Sequence, residues 1–142
     1  LFSSEFLAAT GEAAVGLLLS SPDYARFGPG YEEFLQQYQD RYGEPPVAPF
    51  HAHAYDAAMM ILDAIKGAAV EGPNGTLLIG RQALHDALHT TQGLEGMTGI
   101  LTCDEHGDCA EPRIAVYEIV NADAGSWNPG EGPDHNPVRI WP

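Results

Sequence analysis

Between residues 31 and 69 the chain spells out two helices in series, and their pattern limits what it can fold into more than any other feature. From Tyr31 the apolar side chains fall at Tyr31, Phe34, Leu35, Tyr38 and Tyr42, with Glu32, Glu33, Gln36, Gln37, Asp40 and Arg41 between them. That spacing puts the apolar residues on one helical face. Gly43 and Pro45-Pro46 stop this helix. A longer helix starts near Phe50 to His53 and runs to about Ala69. Its expected buried stripe is Tyr55, Ala58, Met59, Leu62, Ile65 and Ala69.

The flanking segments are shorter. Ser3 or Ser4 caps a helix through Thr10 that Gly11 ends. Ala13 to Leu19 is a short apolar run that suits a buried strand, closed by Ser20-Ser21-Pro22. Glu71 to Gly75 reads as a loop. A third helix is expected from Arg81 to about Thr90, packed through Leu84, Ala87 and Leu88. Gly99 to Cys103 and Arg113 to Val120 read as the two strands of a hairpin around the turn Asp104 to Asp108. The second of these is apolar on both faces, which predicts burial between layers. After Asn121 the residues are rich in Gly, Pro, Asn and Asp, and the tail reads as irregular, anchored by Trp127 and Trp141.

A chain of 142 residues can bury one real core. Its 20 acidic against 6 basic residues give a formal charge of −14. Nucleic acid is therefore not an expected partner, because phosphate binding needs clustered Lys and Arg. Such acidity also disfavours anionic membrane surfaces. No apolar run is long enough to span a bilayer.

The order of motifs carries a resemblance. An amphipathic helix, Tyr42-Gly-Glu-Pro-Pro46, a short loop and Ala54-Tyr-Asp-Ala57 follow one another as in leucine/isoleucine/valine-type binding proteins of bacterial ABC importers. Gly11-Glu-Ala-Ala-Val-Gly16 and Gly96-Met-Thr-Gly-Ile-Leu-Thr-Cys-Asp-Glu-His-Gly-Asp108 are similar to two further segments of that family. Cys103 stands where the family usually has an aromatic residue. The resemblance covers nearly the whole chain and matches the C-terminal part of these receptors.

It implies an α/β fold: a fragment of the two-lobed type I periplasmic-binding-protein architecture, with three main helices, short strands and a β-hairpin. Residues 1–21 would end the second lobe, 22–112 would be the C-terminal part of the first, and 113–142 would cross back as a strand and tail. The implied function is extracytoplasmic solute binding for an importer of amino acids, with no catalysis and no cofactor. The implied partners are an amino acid, the membrane permease of the transporter, and a missing N-terminal part of the same chain. The implied location is periplasmic, or extracellular on a lipoprotein anchor. A sensory ligand-binding domain of the same fold is an alternative.

Phe50 occupies the family position that can supply an aromatic wall for an apolar ligand side chain. An aromatic residue in a Pro-rich loop before a helix is placed to line a cleft, or else it seals the core. His51 and His53 can hydrogen-bond a ligand carboxylate, or serve as polar residues of the helix start. Tyr55 is expected in the core.

His85-Asp-Ala-Leu-His89 has the spacing of a zinc-binding pair, which raises a metal-dependent hydrolase as a further alternative. Asp86 is shorter than the glutamate such enzymes use, and no third ligand follows at a useful spacing. The segment therefore reads as a solvated helix face with no metal. Asp104, Glu105 and Asp108 supply too few oxygens for a calcium loop. Asn74-Gly-Thr76 reads as an accidental glycosylation match. Cys103 and Cys109 are the only cysteines and flank a turn. Flanking positions of a hairpin bring β-carbons to about 4.5–5.5 Å, which a small twist can close to the bonding range of roughly 3.5–4.5 Å. A disulfide between them is expected.

Overall fold

The computed structural model describes residues 1–109 and 113–142; Ala110, Glu111 and Pro112 lie outside the description. Two compact units pack separately. One is Leu1–His51 with the described residues from Arg113 to Pro142, and the other runs from Ala52 to Cys109. The division rests on packing, and one end of the expected first-lobe segment, residue 112, lies outside the described residues.

The first unit begins with helix α1, Ser4–Thr10. Ser3 is extended, and its hydroxyl oxygen accepts the Phe6 amide at 3.3 Å, satisfying one of the free amides of the first turn. Hydrogen bonds from its own backbone amide and from Ser3 hold the Glu5 carboxyl below its usual range. Gly11, at φ 53°, ends the helix as expected.

Strand β1 is Leu18–Pro22, later than the apolar run suggested. Gly11–Ala14 forms a 3-10 turn instead, with Ala14 fully buried, and Gly16 at φ 85° reverses the backbone before the strand can start. Ser20 and Ser21 therefore lie inside the strand. β1 pairs antiparallel with β6, Ile114–Glu118, from Leu18 opposite Glu118 to Pro22 opposite Ile114. β6 also pairs antiparallel with β7, Val138–Trp141, with a register shift between Val116 and Tyr117.

The partners of β6 correct two expectations. It does not pair with Gly99–Cys103, and the tail is not wholly irregular, because it returns to supply the third strand. Burial along β6 alternates. Ala115, Tyr117 and Ile119 are buried, while Ile114 and Val120 are exposed. A single packed face replaces the expected burial on both, as the period of two requires when one face meets a core.

That core is aromatic. The Phe2 ring meets Tyr117 edge-on at 4.9 Å and Trp127 at 5.2 Å. Leu7, Ala14 and Ile119 form a second buried group beside Leu19 and Trp127. Burial pushes the Tyr117 hydroxyl up to about 12, so it stays protonated and donates to the Pro22 carbonyl at 2.9 Å. Trp127 anchors the tail as expected, but Trp141 is exposed. Helix α2 is Tyr31–Tyr42, closed by Gly43 at φ 78°.

The second unit contains most of helix α3, His51–Ala68. Its buried residues are Ala52, Asp56 and Ala64, whereas Tyr55, Ala58, Met59 and Leu62 are exposed. The inward face is the one bearing Asp56, because that carboxylate takes up backbone amides at Met97 and Thr98. Strands β2, Ala69–Glu71, and β3, Leu77–Ile79, form an antiparallel hairpin where a plain loop was expected. Asn74 and Gly75 turn it, both at positive φ, which is the conformation Asn-Gly favours in hairpins. Helix α4 is Arg81–His89; none of its residues is fully buried, and Leu84, Ala87 and Leu88 of the expected packed side are its half-buried ones. Strands β4, Leu94–Glu95, and β5, Ile100–Leu101, make a second short hairpin.

Candidate functional site

The start of α3 gathers the sequence-derived ligand candidates. Phe50 precedes the helix and is 56% exposed, so it does not seal a core. His51 follows in an aromatic setting. Its ring lies nearly parallel to Phe34 at 5.9 Å, Tyr31 at 5.6 Å and Tyr24 at 6.0 Å. Its Nδ1 is 2.6 Å from the Ala48 carbonyl, which can only accept, so Nδ1 carries the proton of the neutral ring. Nε2 then accepts from the Tyr31 hydroxyl at 2.8 Å. Burial raises that hydroxyl far above its usual range and keeps its proton in place. Both ring nitrogens of His51 are thus engaged within the protein. His53 is half-buried on the next part of α3.

The consequence is a rigid support under an exposed aromatic side chain. Tyr24 donates to the Pro49 carbonyl at 3.4 Å, and His51 holds the Ala48 carbonyl, so the loop before Phe50 is tied on both sides. Such a loop presents a side chain without a large ordering cost on contact.

Asp56 received no role from the sequence. It is 3% exposed, and its carboxylate accepts from Met97 N at 2.8 Å, Thr98 N at 2.8 Å and Thr98 Oγ1 at 2.7 Å. It therefore fixes the turn between β4 and β5. Gly96 is required there, since a β-carbon would stand 2.6 Å from Asp56 Oδ2. The signal was present, because Ala-Tyr-Asp and Gly-Met-Thr-Gly were both noticed as motifs. What the sequence did not show is that one motif is the acceptor for the other.

His85 and His89 share one face of α4, with ring centroids 4.4 Å apart. They border an open, mainly apolar cavity of about 320 Å3, completed by Ala57, Met60, Ile61 and Leu88 and by Gly107 and Cys109 of the following loop. Among the described residues no three His, Cys, Asp or Glu side chains are grouped to hold a metal. The Asp104 carboxylate turns inward, accepting from His106 N at 2.8 Å and Asp108 N at 3.0 Å, as in a polar turn.

The structure joins Cys103 to Cys109 across this turn. The closed loop is short, with a sequence separation of 6. Loop closure alone then contributes about 2 kcal/mol. Replacing both cysteines by serine is expected to lower the unfolding free energy of this unit by that amount in denaturant titration. Mass spectrometry of the folded, unreduced protein should find no alkylatable thiol; two free thiols would contradict the bridge.

Comparison with known proteins follows this geometry. The sequence model of the periplasmic binding protein family matches residues 1–125. A search of curated proteins found no match. Among solved structures, the chain is similar to the leucine-binding protein LivK of Thermotoga maritima, at 29% identity and TM-score 0.64, over 84% of this chain and 32% of that one. It is similar to a putative branched-chain amino acid ABC transporter protein of Rhodospirillum rubrum, at 31% identity and TM-score 0.54, over 87% and 34%. It is also similar to the branched-chain amino acid substrate-binding protein LivJ of Streptococcus pneumoniae, solved with isoleucine, at 26% identity and TM-score 0.59, over 84% and 31%. The chain spans about a third of the length of these structures.

Proposed function

The chain belongs to the periplasmic binding protein family, and from that premise we propose that it forms part of an extracytoplasmic receptor that delivers amino acids to an ABC importer. The proposed ligand has an apolar side chain, and Phe50 forms part of the wall it meets. Binding, without chemical change, is the whole task, and the membrane permease is the partner that receives the solute. The cleft lies between two lobes that close on the ligand. In this reading residues 1–21 and the tail from Arg113 go to one lobe and the intervening segment to the other, a division by family resemblance that differs from the packing units, where residues 22–51 group with the first.

The observation that carries this reading is Phe50 itself. This aromatic side chain is 56% exposed on a loop braced by Tyr24 and His51, so it can meet an apolar ligand without first being ordered. Branched-chain amino-acid binding proteins are among the structures to which this chain is similar in both sequence and backbone. With both ring nitrogens of His51 engaged, its proposed contribution is to position Phe50.

The test is a calorimetric titration of L-leucine into the protein expressed from its complete reading frame. Phe50→Ala should weaken binding by about 1–3 kcal/mol, the worth of burying a large apolar side chain. Equal affinity in a folded variant would remove Phe50 from the site.

A further inference from the structure

The pair His85 and His89 has no role in the proposed receptor, yet its geometry is specific. We propose that the two imidazoles form a surface site for a divalent transition-metal ion of the Cu2+, Ni2+ or Zn2+ class. The site binds the ion and performs no hydrolysis.

Four observations build it. First, residues four apart on α4 project side by side, and the ring centroids stand 4.4 Å apart. With metal–nitrogen bonds of about 2.0–2.1 Å, two imidazoles on adjacent corners of one ion have centroids about 4.5–5 Å apart. The rings, tilted by 34°, already stand at that spacing, and rotation about the side-chain bonds would turn one nitrogen of each toward a shared ion.

Second, the carboxylate of Asp86 lies 3.4 Å from His85 Nδ1, and Gln82 Nε2 donates to the same oxygen at 2.7 Å. A carboxylate that takes the proton of one ring nitrogen leaves the other as a free lone pair. That arrangement typically orients metal-binding histidines.

Third, the turn at Gly107 lies along the nitrogen-bearing edge of the His89 ring and restricts its rotation. A β-carbon on Gly107 would come within 3.1 Å of His89 Cε1, so the glycine backbone lies against the ring. The disulfide and the Asp104 turn hold that backbone in place. Fourth, a chain with formal charge −14 draws cations to its surface.

Imidazole nitrogens suit copper, nickel and zinc, and copper binds such donor sets most strongly. Among the described residues two protein ligands are grouped here, and water is proposed to complete the coordination. That number distinguishes this site from the three-ligand centre of a hydrolase.

Copper titration followed by electron paramagnetic resonance tests the proposal directly. The native protein should take up one equivalent with two-nitrogen coordination. His85→Ala and His89→Ala should each weaken the site about tenfold or more, and Asp86→Asn should weaken it about tenfold through lost ring orientation. His135→Ala, in the other unit, should leave affinity unchanged. Both histidines are exposed, so the variants should fold, which circular dichroism checks. Wild-type affinity in both single variants would overturn the site. So would failure of the native protein to take up a stoichiometric ion.

Discussion

Replacing Asp56 with alanine is expected to destabilise the Ala52–Cys109 unit by about 3–5 kcal/mol, because three donors aimed at a buried carboxylate would be left without an acceptor. The three bonds lie at 2.7–2.8 Å, and the residue is 3% exposed, so water does not replace the lost oxygen atoms cheaply. Asn at position 56 should recover only part of the loss, because its amide nitrogen would face a donor. Gly96→Ala provides a check from the other side of the contact, since its β-carbon would collide with Asp56 Oδ2. Urea unfolding followed by circular dichroism measures both. A loss below about 1 kcal/mol for Asp56→Ala would mean the turn finds other acceptors.

Arg139→Ala should cost the other unit a similar amount, about 3–5 kcal/mol, because it strands the buried charge of Asp23. Asp23 is 0% exposed, and Arg139 Nη1 meets its Oδ2 at 2.8 Å. The bond crosses from β7 to the end of β1, so it also fastens the C-terminal strand to the sheet. Arg139 Nη2 reaches Glu131 at 2.7 Å, but that carboxylate is 73% exposed. Glu131→Ala should therefore cost only about 0–1 kcal/mol, as exposed pairs do. The contrast between the two variants is the readout. Equal small effects would show that solvent reaches Asp23 once the strand relaxes.

The helices were legible in the sequence because each carries its own punctuation. Ser3 and Gly11 bracket the first, and Gly43 and the two prolines close the second. The identity of the buried face of α3 was not legible. Tyr55, Met59 and Leu62 make the more apolar stripe, yet the helix turns Ala52, Asp56 and Ala64 inward. Hydrophobic period reports which face is oily, whereas the two amides and one hydroxyl at residues 97 and 98 decide which face is covered.

Strand pairing failed for a related reason. Gly99–Cys103 and Arg113–Val120 are neighbours in sequence with a turn between them, and local reading paired them. The observed partners of β6 are about 95 residues earlier at β1 and about 20 later at β7. Nothing local to Ile114–Glu118 announces either. Asn74-Gly75, by contrast, is a local hairpin signal, and both residues take the positive φ that such a turn needs. At the candidate site, sequence placed Phe50, His51 and His53 together at a helix start. It could not show that the His51 ring is already bound on both nitrogens by Ala48 and Tyr31.

The central claim is that the loop around Phe50 lines an amino-acid cleft. A photoreactive diazirine analogue of leucine, irradiated with the protein expressed from its complete reading frame, tests it directly. Peptide mapping by mass spectrometry should find the label on the segment Phe50–His53, and excess L-leucine should abolish it. Label that leucine displaces only from other segments, or label on this one that leucine leaves untouched, would contradict the account.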